Sequence, residues 1–238
     1  MSALPRLVPE PPGAGVMYVW ELPVRLTHWL IVLSIAVLAV TGFYIGDPFI
    51  AVSGPARDHF VMGTMRVIHL YAAIVFTLSV LARVYWMFAG NYYAGWRQFV
   101  PVTRERLNST WQAIRFYGFR RDEPPPYPGH SGLAALVYAV IFLIYFVMIG
   151  TGLALYTVYA PAGSVFQGVR FLIPIFGGLQ HARFIHHIGM WLLLIFMIHH
   201  VYSAILFSLT QRMEIIGSMF SGYKHVSSQA AGEGERDA

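Results

Sequence analysis

The chain contains no cysteine and little charge: of its 238 residues, 11% are Asp, Glu, Lys or Arg, against 57% hydrophobic. Without cysteine there is no disulfide, thiolate zinc site, iron–sulfur ligation or cysteine nucleophile. A soluble domain carries about a quarter charged residues, and a disordered chain joins low hydrophobicity to high charge. This composition fits neither. The net charge of +5 does not call for nucleic acid, because a membrane protein collects arginine on one side for topological reasons, and no nucleic-acid partner is expected. What remains is long apolar runs and ten histidines.

Four stretches, at 26–46, 67–89, 133–156 and 185–209, reach the roughly 20 residues that cross a bilayer as a helix. The expected architecture is an all-α membrane protein, a four-helix transmembrane bundle forming one domain over 1–238, with 227–238 a disordered tail. The run at 165–179 is interrupted by Arg170, Pro174 and three glycines, and reads as an interfacial or re-entrant piece rather than a fifth span. None of the four spans reads as a cleaved signal peptide, since no A-x-A-like site follows the first and the sequence before it is proline-rich. No internal repeat stands out. Four spans put both termini on one side. Twelve of the 16 Lys and Arg residues fall on the termini, the 90–132 connection and, as Arg83, the inner part of span two, and four on the opposite loops, so both termini are expected in the cytoplasm. The 90–132 connection includes an amphipathic stretch at 103–119.

Ionisable side chains inside a lipid span are costly and point to function. His28, His69, His186, His187, His199 and His200 all lie in or at the edges of the expected spans. Any one could serve as a hydrogen-bonding residue. Six together, with almost no acidic residue in the spans, point to metal ligation. His186 and His200 are 14 residues apart, which returns them to one helical face about 21 Å apart along the axis. That is too far for one metal, so two cofactors are implied. His69, just inside the outer end of span two, matches His186 in depth. His28, near the inner end of span one, is the candidate for His200, although His200 sits about ten residues from the inner end of its span. Two bis-histidine sites without acid or thiolate ligands suit haem b better than zinc or a di-iron site.

Arginine stands three residues before three of these histidines, in Arg25/His28, Arg66/His69 and Arg183/His186. Residues at i and i+3 share a helical side, and each arginine is one turn nearer water, where a guanidinium can pair with a haem propionate. Arg83, 14 residues after His69, falls on the same stripe at the inner level. An ordinary interfacial role explains any single arginine equally well. Gly42, Gly150, Gly152 and Gly189 favour close approach of helices or of a flat macrocycle. Trp29, Trp86 and Trp191 read mostly as an interface belt.

Several runs resemble the b-type cytochrome subunit of membrane-bound nickel–iron uptake hydrogenases, a cytochrome b561-like family. Arg25-Leu26-Thr27-His28-Trp29, ending in Thr41-Gly42, is similar to that family's first-helix motif. Arg183-Phe184-Ile185-His186-His187-Ile188, with Trp191, Phe196 and His200, is similar to its fourth-helix motif. Met65-Arg66-Val67-Ile68-His69, Gly90-Asn91, Gly129-His130, Thr151-Gly152 and Gly222-Tyr223-Lys224 also fall at corresponding places. The resemblance covers nearly the whole chain. It implies that His28, His69, His186 and His200 are axial ligands of two b haems, and that His187 and His199 are not. One departure lies after His200-Val201-Tyr202: relatives turn to a charged run, whereas this chain continues Ile205-Leu206-Phe207-Ser208.

The resemblance further implies a multi-pass protein of the bacterial inner membrane that anchors the small and large hydrogenase subunits on the periplasmic side. Electrons would pass from the small subunit's iron–sulfur chain to the outer haem (His69/His186), the inner haem (His28/His200) and a quinone near the inner end of span one. The hydrogen chemistry would belong to the partner. Arg57, Asp58, His59, Arg170, Gln180 and His181 lie in the loops available for docking. Two readings compete: a cytochrome b subunit of formate dehydrogenase or another respiratory oxidoreductase, and a haem-free anchor or transporter. Neighbouring genes separate the first, and a reduced-minus-oxidised spectrum the second.

Overall fold

The structure, a computed structural model, describes residues 15–50, 54–55, 59–96, 108, 110–112, 115, 120, 132–210 and 215–226. A short strand β1 (Gly15–Tyr18) leads into α1 (Leu22–Gly46), which is followed by α2 (Val61–Ala89) and α3 (Gly132–Tyr156). A single-turn helix α4 (Leu172–Ile175), a long α5 (Leu179–Thr210), a short α6 (Ile215–Ser221) and a strand β2 (Tyr223–Val226) complete the order. Four of these helices are long and apolar enough to cross a membrane. In each, at most 28% of the most apolar window is buried inside the protein. A water-soluble bundle would hide that surface; here it faces lipid.

The expected spans lie within these helices, but α2 and α5 each begin six residues before the apolar run. Apolarity marks the hydrocarbon slab of about 30 Å, whereas a helix continues through the headgroup layer with polar residues on it. The 165–179 segment forms a 3-10 turn at Val165–Val169 and then α4, and adds no fifth span. The amphipathic stretch at 103–119 lies mostly outside the described residues and is helical at 108, 110–112 and 115. Arg57, Asp58, Gly129, His130 and the tail at 227–238 lie outside them altogether.

One element corrects the all-α expectation. β1 and β2 pair antiparallel, from Gly15 opposite Val226 to Tyr18 opposite Tyr223, and tie the segment before α1 to the segment after α6. The strands are too short to show alternation in the sequence, and each is made only by its distant partner. Gly222 makes the turn into β2 with φ +89°; a Cβ there would stand 2.6 Å from the Tyr18 ring and 2.7 Å from the Trp20 carbonyl oxygen. The Gly222 carbonyl accepts the amides of Val19 and Trp20 at 2.9 and 3.0 Å. Asn91 donates its side-chain amide to the Val19 carbonyl at 3.1 Å and accepts the Ala94 amide at 2.9 Å. These bonds gather the start of α1, the end of α2 and the Gly222 turn at one end of the bundle, termed the ribbon end.

The helices form two hairpins, α1 against α2 and α3 against α5. Ile31, Phe76, Val80, Ile141, Tyr145 and Leu193 form the buried cluster that joins them. Leu193 lies seven residues from His186 and seven from His200, so an apolar layer separates the two histidine levels of α5.

Candidate functional site

At the end opposite the ribbon, the two hairpins repeat one arrangement. In the first, the Thr41 hydroxyl on α1 is 2.7 Å from the Val37 carbonyl and 2.8 Å from His69 Nδ1 on α2. In the second, the Thr151 hydroxyl on α3 is 2.7 Å from the Val147 carbonyl and 2.8 Å from His186 Nδ1 on α5. Glycine follows each threonine, and a Cβ on Gly42 or Gly152 would rest 3.4 Å from Cε1 of the same histidine. Each ring edge therefore lies directly on the backbone of the facing helix. His69 and His186 are also within electrostatic reach of each other. The sequence carries this correspondence only as two Thr-Gly pairs and two Arg-x-x-His pairs.

The threonine geometry favours one tautomer of each ring. A hydroxyl has one proton, and a carbonyl can only accept. A 2.7 Å approach of hydroxyl to carbonyl commits that proton to the carbonyl. The threonine oxygen can then only accept from Nδ1, so Nδ1 carries the hydrogen and Nε2 keeps a free lone pair. That is the state in which imidazole binds a metal.

At the ribbon end, His28 on α1 and His200 on α5 face one another with ring centroids 6.4 Å apart. Two imidazoles on opposite sides of one metal, with bonds of about 2.0–2.1 Å, place their centroids roughly 6 Å apart. Phe196 stacks on His200 at 5.4 Å, and the Tyr138 hydroxyl lies 3.4 Å from His200 Nδ1. Trp29 meets His28 edge-on at 5.1 Å. His28 Nδ1 is buried and, among the described residues, has no hydrogen-bond partner. The apparent depth mismatch between these histidines has a simple cause. α5 runs ten residues past His200 while α1 begins six residues before His28, and α6 brings the chain back, with the Trp29 indole donating to the Met219 carbonyl at 3.2 Å.

The other membrane histidines are engaged differently. His187 Nδ1 lies 2.9 Å from the Arg183 carbonyl of its own helix. His199 is exposed, 3.4 Å from the Ser203 hydroxyl. Among the described residues, no group of three His, Cys, Asp or Glu side chains converges as for a metal held by protein alone. Paired imidazoles fit a macrocycle that supplies its own equatorial ligands.

Each of the four arginines makes a protein contact. Arg25 donates through Nη1 to the Phe220 carbonyl, and its Nε is buried without a partner among the described residues. The Arg66 guanidinium lies over the Tyr159 ring, 4.9 Å from its centroid. Arg83 is buried, with Nη1 and Nη2 3.3 and 3.4 Å from the Ala94 carbonyl. Arg183 donates to Gln180 Oε1 at 2.8 Å.

Residues 19–222 match the family described as Prokaryotic cytochrome b561. The chain belongs to that family. A protein of Cupriavidus necator named "Probable Ni/Fe-hydrogenase B-type cytochrome subunit" is 40% identical over 210 residues, covering 87% of this chain and 86% of the relative. An Escherichia coli K12 relative, named "Probable Ni/Fe-hydrogenase 1 B-type cytochrome subunit", is 39% identical over 212 residues, or 87% of this chain and 90% of its own. One from Rhodobacter capsulatus, named as in Cupriavidus, is 36% identical over 216 residues, covering 87% and 81%. The resemblance read from the motifs is thus a family membership, and this cytochrome is a multi-pass protein of the bacterial inner membrane. A b-type cytochrome carries haem b, and the paired imidazoles suit it.

Proposed function

We propose that this cytochrome holds two b haems, one between His69 and His186 and the other between His28 and His200. It would anchor a nickel–iron hydrogenase and carry its electrons to quinone. The reading rests on the presence of two histidine pairs at opposite ends of the bundle, both built on α5. The haems supply one-electron redox chemistry. The chain's own part is to orient the imidazoles, to keep water from the space between them with the Leu193 layer, and to place guanidinium groups at each depth. In this reading Arg66 and Arg183 serve the propionates of the haem remote from the ribbon, and Arg25 and Arg83 those of the haem near it.

The arginine distribution supports a cytoplasmic ribbon end and termini. The hydrogenase small subunit then docks on the periplasmic side, over His69 and His186. Quinone binds near His28, His200 and the start of α1, and takes its protons from the cytoplasm. A pyridine haemochrome count and reduced-minus-oxidised spectrum of the purified complex test the haem reading, with two b haems per chain expected; a spectrum without a b-type band overturns it. His200→Ala tests the route. It is expected to keep hydrogen-dependent reduction of the remaining haem and to lose quinone reduction, and survival of quinone reduction would place the pocket at the other end.

A further inference from the structure

We propose that Thr41 and Thr151 are positioning residues that hold His69 and His186 as Nδ1–H donors, and that they thereby lower the reduction potential of the haem between them. The inference rests on the haem reading above. Each hydroxyl has its proton committed to a helix carbonyl at 2.7 Å and presents a lone pair 2.8 Å from Nδ1. An imidazole whose N–H donates to such an acceptor gains electron density at Nε2 and becomes a more basic ligand. A more basic axial ligand favours ferric over ferrous iron.

The His28/His200 pair is held differently, with no threonine clasp among the described residues. His28 Nδ1 has no partner among the described residues, and the Tyr138 hydroxyl is 3.4 Å from His200 Nδ1. The two threonines thus depress the potential of the haem between His69 and His186. A lowered potential at the end remote from the ribbon favours electron transfer towards the ribbon end, the direction quinone reduction needs. Thr77 and Ser79 also bond back to their own helix, at 2.7 Å from the Ala73 and Val75 carbonyls, but among the described residues no histidine contact accompanies them. Back-bonding is therefore a general habit of hydroxyls in these helices, and the histidine contact is what distinguishes Thr41 and Thr151.

Potentiometric titration of the purified complex tests the proposal. Thr41→Val and Thr151→Val are each expected to make one haem easier to reduce, by roughly threefold to tenfold in its reduction equilibrium, tenfold being 59 mV for one electron. The shifted haem is the one that His69→Ala removes, and its low-spin ferric resonance moves while the other stays. Thr41→Ser and Thr151→Ser restore the original potential, and Thr77→Val leaves both haems unchanged. Should a valine variant fail to assemble, Thr41→Ala and Thr151→Ala carry the same prediction without the added branch. Unchanged potentials in the assembled variants, or a shift in the haem that survives His69→Ala, overturn the proposal. A wild-type complex lacking a b-type spectrum overturns the haem reading instead.

Discussion

Glu21 and Trp86, 65 residues apart, are joined by a 2.7 Å hydrogen bond from the indole Nε1 to the carboxylate. The same Oε2 atom accepts the Asn91 amide at 2.9 Å. One acid thus ties the entry of α1 to the exit of α2, and its neighbours in the chain are tied to the Gly222 turn. Hydrogen bonds to a charged group contribute about 1.5–3 kcal/mol. Glu21→Ala is therefore expected to lower the thermal unfolding midpoint of the solubilised protein. Glu21→Gln, which keeps one acceptor oxygen, is expected to lower it less.

Gly222→Ala meets two obstacles at once, a left-handed backbone and the Tyr18 ring and Trp20 carbonyl in the path of the new methyl. Strain of this kind costs on the order of 1–3 kcal/mol. Faster amide exchange at Val19 and Trp20, whose hydrogen bonds end on the Gly222 carbonyl, is the expected signature, with the membrane helices still protected. Unchanged exchange there would mean that the turn relaxes without cost.

Single histidine replacements are expected to separate the two pairs. His69→Ala and His186→Ala lose the same haem, while His28→Ala and His200→Ala lose the other. His187→Ala and His199→Ala keep both, since His187 bonds its own helix and His199 is exposed. Haem stoichiometry by pyridine haemochrome decides each case.

Lys224, outside the membrane helices, is buried, and desolvation holds its ammonium below the ordinary lysine pKa of 10.5. Between that lowered value and 10.5 the unfolded chain binds more protons than the folded one, so stability rises with pH in that window. Lys224→Met is expected to flatten this rise. Unfolding midpoints measured across the alkaline range provide the check.

The histidines were legible in the sequence because an ionisable group in an apolar run is conspicuous by cost alone. Their grouping on α5 followed from helical period, and the Arg-x-x-His spacing from the same geometry. Thr41 and Thr151 were visible as parts of Thr-Gly pairs, but a threonine in a membrane helix commonly bonds its own backbone, so its second contact was not readable. The β1–β2 ribbon was missed for a related reason: four residues on each side carry too little pattern to announce a strand. Glu21, the one acid near the start of α1, gave no sign of its partners, which come from the far end of α2.

The sequence by itself determined that there are four spans, and that α5 presents His186 and His200 on one face about four turns apart. Both follow from local quantities, hydropathy per residue and the pitch of a helix. Only the tertiary structure decided which rings meet. The approach of His28 to His200, 6.4 Å between centroids, depends on how far α5 overruns α1 and on how the helices turn about their axes. The clasp of Thr41 on His69 and of Thr151 on His186 depends on two interhelical contacts closing to 2.8 Å. Those distances come from side chains packing between helices, a relationship between segments far apart in the chain that no single stretch of it encodes.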